Sequence, residues 1–297
     1  MGTPAIGARA KMAIDAALPF DGSSIPLEFV NENVRMVQRH VQSEGIRGTR
    51  SRSKERVRIG QEQITGTITL HPSPTELAAL LPYIMGAAGV SGVYDLGESL
   101  TAFQLMIDRV TKVFTYAGCK VGRAVFSGSQ GQPLELRLDV EGQTETVSAA
   151  GGFPAITPDT DTMFILSDAT LELAADASAV QFRQFELTID NVLDADRYMN
   201  SVTRAEIAAT DRVITLSLGM MYTADEVDLY DQSIAGGSGT LTFTNGNQSI
   251  EFDFPNLKAE AESPVVGGKG EIALPLSLTA YKSGSTSELT ITLDTSA

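Results

Sequence analysis

Two stretches of this chain, one in each half, follow the same course from strand through turn to helix. ERVRIGQEQITGTITLHPSPTELAALLPYIMGA begins at Glu55, and DRVITLSLGMMYTADEVDLYDQSIAGG begins at Asp211. Each opens with an acid-Arg-Val triplet, alternates as a strand does, passes a threonine (Thr75 or Thr223) that can cap a helix, and stops at glycine. Similarity of this kind predicts an internal duplication, in which each half is a strand-rich module with one covering helix.

The correspondence extends beyond this motif. Apolar residues recur at helical spacing in both predicted helices, at Leu77, Leu80, Leu81 and Ile84 and again at Val227, Tyr230 and Ile234. Strand-like segments also pair between the halves: 25–34 with 185–194, 102–109 with 248–255, and 119–142 with 268–284. The match lies in the order of the segments more than in residue identity.

A segment with the composition of a linker separates the two halves. Residues 142–162 are rich in Gly, Pro, Thr and Asp, and 163–175 then indicates the first strand of the second half. We expect four parts: an N-terminal arm (1–24), a first module (25–147), a linker (148–162) and a second module (163–297). Ser, Thr and aliphatic residues dominate and Trp is absent, which favours a mainly β protein.

Charge is distributed unevenly along the chain, which has a formal net charge of −15. Residues 1–123 carry 14 Lys and Arg against 11 Asp and Glu (+3), and residues 124–297 carry 8 against 26 (−18). This balance disfavours simple nucleic-acid binding, because phosphate contacts require Lys and Arg. The two halves must present very different electrostatic fields.

The N-terminal stretch MGTPAIGARAKMAIDAALPF superficially resembles a signal peptide. Its apolar part is short, Ala-rich and broken by Asp15, so we interpret it as a mobile arm. No apolar run approaches the ~20 residues that span a bilayer, so no membrane contact is expected. The single cysteine, Cys119, excludes a disulfide framework within one chain and fits a reducing cytoplasm.

The sequence shows no pattern typical of a catalytic, cofactor or metal site. The two histidines, His40 and His71, have no serine-elbow motif near them. The glycine-rich stretches 127–132 and 235–240 lack a phosphate-binding lysine and are interpreted as turns between strands. The acidic run 189–197 lacks the glycine and terminal Glu of a calcium loop, and a solvated acidic edge is the simpler interpretation.

One basic concentration stands out, in residues 35–58. It contains eight of the 22 basic residues: Arg35, Arg39, Arg47, Arg50, Arg52, Lys54, Arg56 and Arg58. A nucleic-acid arm, a solvated loop and a loop that contacts an acidic protein surface would all look like this. Because the rest of the chain is acidic, we favour contact with other copies of the same chain.

The order RVRIGQEQITGTITLHPSPTELAALLPYIMG, FQLMIDR, YAGCKVGRAVFSGSQGQPLELRLDVEG resembles the tail tube proteins of long-tailed bacteriophages. The second half, with FELTIDNVLDADRYMNS, resembles the duplicated form of this family. The resemblance covers nearly the whole chain after about residue 20. It implies two tandem β-sandwich or β-barrel modules, each with a flanking α-helix.

The resemblance also implies a function. Two-module members join strand to strand into trimeric, pseudo-hexameric rings, which stack into a tube for DNA passage during ejection. It implies a non-enzymatic protein of the siphophage virion tail, assembled in the host cytoplasm. The implied partners are other copies, a tape measure protein, tail terminator and distal tail proteins, and DNA that passes without specific binding.

If this interpretation is right, the uneven charge distribution of the chain leads to two further expectations. A negatively charged lumen would repel phosphates, and the basic segment 35–58 would contact an acidic face of the next ring. Two alternatives remain: an inner-tube component of a contractile tail or secretion apparatus, and a β-rich adhesin or carbohydrate-binding protein. Low aromatic content disfavours the last of these.

Overall fold

A computed structural model describes residues 4–173, 176–222, 235–259 and 263–296 of the chain. Strands dominate these residues, which confirms the mainly β fold class. The first half contains β1 (Lys11–Asp15), β2 (Ile25–Leu27), β3 (Phe29–Glu32), β4 (Arg35–Gln42), β5 (Val57–Leu70), α1 (Pro74–Met85), β6 (Val93–Asp95), β7 (Phe103–Asp108), β8 (Lys112–Ser129), β9 (Glu135–Gly142) and β10 (Thr144–Ala149).

The second half continues with strands of similar length. They are β11 (Ala169–Leu173), β12 (Asp176–Val180), β13 (Gln184–Asp190), β14 (Leu193–Asp194), β15 (Ala208–Ala209), β16 (Val213–Met221), β17 (Gly237–Asn245), β18 (Gln248–Ala259), β19 (Ala273–Ala280) and β20 (Thr290–Asp294). Short 3₁₀ turns occupy Gly7–Arg9, Lys54–Arg56 and Leu166–Asp168. The predicted second helix, from Thr223 to Gly236, lies almost wholly outside the described residues.

Eight antiparallel strands form one continuous sheet, which we call the long sheet. Its order is β4-β5-β9-β8-β13-β16-β19-β18. Alternation explains which side of each strand is buried, since β13 (QFELTID) turns Phe185, Leu187 and Ile189 to the core and Glu186 to solvent. The long sheet therefore has one apolar and one polar face.

Two smaller flanking sheets pack against the apolar face of the long sheet. The first has the order β2-β1-β7-β8-β10 and the second β12-β11-β17-β18-β20-β6. Strand β8 belongs to both layers, because its first half pairs with β7 and β10 and its second half pairs with β9 and β13. Strand β18 joins the layers of the second half in the same way.

The strand pairings of the first half recur in the second. The long sheet contains β4-β5-β9-β8 followed by β13-β16-β19-β18, and in each set the chain visits the strands in the same sequence. The flanking sheets match as well, with β1–β7 and β10–β8 repeated as β11–β17 and β20–β18. A shared core connects both halves, and the Phe126 and Phe252 rings meet with centroids 5.1 Å apart.

Helix α1 starts two residues earlier than the sequence pattern suggested. We expected Thr75 to cap it, but Ser73 is the N-cap, and it accepts a hydrogen bond from the Glu76 amide while Glu76 accepts one from the Ser73 amide. Pro74 occupies the first helical turn, where its missing N–H costs nothing. Gly86 ends the helix in the left-handed conformation (φ 80°), as expected.

The N-terminal segment differs from the mobile arm that we expected. Residues Lys11–Asp15 form β1, which lies between β2 and β7. Burial accounts for the difference, because Met12 and Ile14 are 1% exposed and belong to the core. The Ala-rich composition suggested an unstructured arm, but the segment contains a short buried strand.

Candidate assembly surfaces

The polar face of the long sheet is concave and carries small hydroxyl side chains among charged and apolar ones. A groove of about 1030 Å³ runs across β8, β9, β13, β16 and β19. Its lining includes Ser127, Ser129, Gln184, Glu186, Ser217 and Ser277. Tyr281, which is 50% exposed, also lines the groove and is an aromatic ring on which a base could stack.

Charge on this face is mixed. Carboxylates lie on β9 (Glu135, Asp139, Glu141) and β13 (Glu186, Asp190). Cations lie on the neighbouring β8 (Lys120, Arg123), on β9 (Arg137) and on β18 (Lys258). Neighbouring threonines hold two of the carboxylates, since Thr65 Oγ1 donates to Glu141 (3.0 Å) and Thr67 Oγ1 donates to Asp139 (2.9 Å). Most of the negative charge of the second half must therefore lie elsewhere.

The two halves meet at the joint between β8 and β13. The ladder runs from Gln184 opposite Ser129 to Asp190 opposite Arg123, without interruption. At its end Arg123 and Asp190 form an ion pair of 2.6 Å, and this hydrogen bond raises the pKa of Arg123. The joint carries the long sheet from one half to the other through main-chain hydrogen bonds.

A second connection fastens the halves near the joint. The segment between β13 and β16 runs along the exposed edge of β5, where the Glu62 amide donates to Val202 O (2.8 Å) and Tyr198 Oη donates to Glu62 O (2.9 Å). Arg204 is 3% exposed and donates from Nη1 to two strand carbonyls, Ile64 O and Gly142 O, each at 2.9 Å. We call residues 195–207 the latch.

The long sheet has two incompletely paired ends. At one end, β4 pairs with β5 alone among the described residues. At the other, the described pairing of β18 with β19 runs from Leu257 to Ala259, where the described part of β18 ends, and the corresponding pair β8–β9 extends from Lys120 to Ser127. Open edges of this kind present unpaired main-chain N–H and C=O groups to a neighbouring strand.

The basic segment 35–58, which we call the basic arm, consists of β4, the loop 43–53, a 3₁₀ turn and the start of β5. All eight predicted basic residues are exposed: Arg35, Arg39, Arg47, Arg50, Arg52, Lys54, Arg56 and Arg58. Within the described parts of the chain, none of them forms an ion pair, and Arg52 makes one long hydrogen bond to Gln42 (3.4 Å). Ile46 near its tip is fully exposed. The arm has the features of a surface without its partner.

Residues with potential chemistry are dispersed. His40 is exposed on β4, and His71 borders the groove after β5. Cys119 is fully buried, and burial raises the pKa of its thiol to about 12. No group of three or more His, Cys, Asp or Glu side chains suited to a metal occurs in the described residues. The same residues include no helix long and apolar enough to cross a membrane.

Comparison with known proteins gives one result. The model of a family described as phage tail tube protein matches residues 7–280, which is nearly the whole chain. The match includes β1, within the segment that sequence reasoning set aside as an arm, and it ends with β19. A search of curated proteins finds no match.

Proposed function

Because the chain belongs to the phage tail tube protein family, we propose that it polymerises into stacked rings that form the conduit for genome DNA. Membership of this family makes it a structural component of the virion tail and favours a non-enzymatic role. The finer proposal, a trimeric ring of the non-contractile siphophage type, assembled in the bacterial cytoplasm, rests on the geometry described next.

The joint between β8 and β13 carries this proposal. It shows how two similar sets of four strands continue as one sheet, with the last strand of one set beside the first strand of the next. The ends of the long sheet offer the same two partners, the β18 end of one copy and β4 of the next. A head-to-tail contact that repeats this geometry closes into a ring and removes both open edges.

Three copies fit this scheme. Each copy supplies two modules, which we propose at 25–147 and 163–297 with a linker at 148–162, and the repeated pairing order supports that division. The β1 strand adds residues 11–15 to the first module. Three chains of eight long-sheet strands give a closed wall of about 24 strands with pseudo-sixfold symmetry.

The concave polar face of the long sheet is our candidate for the lumen. DNA is retained where cations cluster. On this face the cations are scattered among serines, threonines and carboxylates. DNA would therefore pass along it without specific binding, and a tape measure protein would occupy it before ejection. The basic arm projects from the rim of this sheet, so it is the candidate contact between stacked rings.

Electron microscopy of the purified chain tests this function. We expect hollow tubes or single rings across a series of protein and salt concentrations. The variant Arg47→Glu, Arg50→Glu, Arg52→Glu is expected to fold normally and to form rings without tubes, because reversal of the arm charge removes the contact between rings. Dispersed wild-type monomers under all conditions would refute the tube, and normal tubes from the variant would refute the role of the arm.

A further inference from the structure

The solvent side of the second flanking sheet is a flat surface rich in acids and threonines. Five strands contribute to it, in the order β11-β17-β18-β20-β6. One cross-strand row reads Glu172, Thr240, Asp253, Thr290 and Asp95, so that an acid alternates with a threonine. We call this surface the threonine face.

The threonine face is negative throughout. Its acids are Glu172, Asp253, Asp95, Glu251 and Asp294, and threonines with Ser249 fill nearly all other positions. Lys258, at the far end of β18, lines the groove of the long sheet and is the one Lys or Arg in the described residues of these strands. None of the five acids forms an ion pair within the part of the chain that the structure describes. Four of these acids, all except Asp95, lie within the acidic residues 124–297.

Neighbouring threonines restrain two of these acids but do not neutralise them. Thr240 Oγ1 donates to Asp253 (3.2 Å) and Thr290 Oγ1 donates to Asp95 (3.0 Å). Acids two strands apart lie roughly 10 Å from each other, slightly more than the Debye length of ~8 Å at physiological salt, so their repulsion is only partly screened. The uncompensated repulsion favours a cationic partner that covers the whole face.

The matching face of the first flanking sheet is already covered. Ala13 and Met106 lie on the side of β1 and β7 that faces away from the shared core, yet they are 0% and 8% exposed. The linker passes this side, with Phe153 under Lys11 at 5.8 Å from its ring centre, and then reaches the start of α1, where Ser73 Oγ donates to Asp159. In the second flanking sheet, by contrast, Glu172, Asp95 and Asp294 remain exposed.

We propose that the basic arm of a second copy docks on the threonine face. The proposal rests on the tube function proposed above and specifies the surface that the arm contacts in the next ring. Charge complementarity supports it, because the arm carries eight cations and the threonine face five carboxylates, none of which forms an ion pair among the described residues.

Charge exchange between the two surfaces tests the proposal. The face variant Glu172→Lys, Glu251→Lys, Asp294→Lys is expected to lower the sedimentable tube fraction by about tenfold or more, as the arm variant does. Carrying both sets of substitutions in one chain restores opposite charges and is expected to restore tubes. The control Glu28→Lys, Glu98→Lys, Asp211→Lys changes the net charge equally at other exposed acids and should leave tubes intact.

The outcomes separate the two proposals. Normal tubes from the face variant, or a combined variant that folds but stays as rings, would overturn docking on this face and leave the ring proposal standing. Absence of rings from wild-type protein would overturn both. Circular dichroism of each variant reports whether it folds.

Disulfide trapping gives a second test. It does not rely on charge-reversed variants, so misfolding of such a variant cannot affect its result. Cys119 is fully buried, so new surface cysteines react without background. Oxidation of Arg52→Cys, Glu251→Cys tubes should give a ladder of linked chains on a non-reducing gel. The matched pair Arg52→Cys, Glu98→Cys should give none. A ladder from the control pair alone would contradict the proposed contact.

Discussion

Arg204 is the residue on which the latch depends, and its removal has a calculable cost. Its side chain is 1% exposed, whereas that of its ion-pair partner Glu141 is 25% exposed, and Nη1 lies 2.7 Å from the carboxylate. The same nitrogen donates to Ile64 O and Gly142 O at the point where β9 leaves β5. Arg204→Ala removes all three contacts and leaves space where the side chain was packed.

The loss of folding free energy in Arg204→Ala depends on how exposed the hydrogen-bond and ion-pair partners of Arg204 are. Removing one member of a fully buried ion pair costs about 3–5 kcal/mol, but Glu141 is near enough to water to recover part of its hydration. Each strand carbonyl that loses a buried donor costs about 1–3 kcal/mol. We therefore expect the free energy of unfolding to fall by about 3 kcal/mol, which for a chain of this length lowers Tm by about 6 °C.

Chemical denaturation and thermal scans of Arg204→Ala measure this loss, and hydrogen exchange locates it. Amides of residues 195–207 and of the β5 edge should lose protection before the rest of the chain. Arg197→Ala is the control, because Arg197 forms ion pairs with Asp194 and Glu206 at the exposed surface and should contribute little. An Arg204→Ala variant as stable as this control would refute the argument that the latch joins the halves.

Three further predictions concern single sites. Burial raises the pKa of Glu76 to about 6 from its usual 4.5, so folding stability should fall by about 2 kcal/mol as pH rises from 4.5 to 6; Glu76→Gln should remove this slope in denaturation curves measured against pH. Gly66→Ala places a methyl group 2.3 Å from Val34 Cα and should give insoluble protein, whereas Gly22→Ala meets no atom within 4 Å and should be soluble at wild-type yield. Phe126→Ala should lower the free energy of unfolding by about 3–5 kcal/mol in urea, because the ring is fully buried.

Elements with a strong local signal were predictable from sequence. Alternation and capping placed β5 and α1, and the predicted stripe Leu77, Leu80, Leu81 and Ile84 is buried throughout. The cap itself was misplaced, because Ser73 followed by Pro74 is the stronger start signal. The stretch 235–240 was also interpreted as a turn between strands, whereas β17 begins at Gly237.

Features that depend on distant parts of the chain were not predictable. Strand β1 is only five residues long, and its partner β7 lies some 90 positions away, so no local pattern identifies it. The basic arm was found from its charge, but the threonine face gave no sequence signal, because its acids come from four separate strands. Cross-strand registers create that surface, and they exist only in the folded chain.

The most direct test of the account is an end-on image of the assembled particle by cryo-electron microscopy. The account predicts a closed ring of three chains that shows six similar lobes, with the polar face of the long sheet toward the channel. At higher resolution, β4 of one copy should lie antiparallel beside the β18 end of the next. A ring of six chains, or a ring in which β4 remains unpaired, would contradict the central claim that the β8–β13 joint repeats between copies.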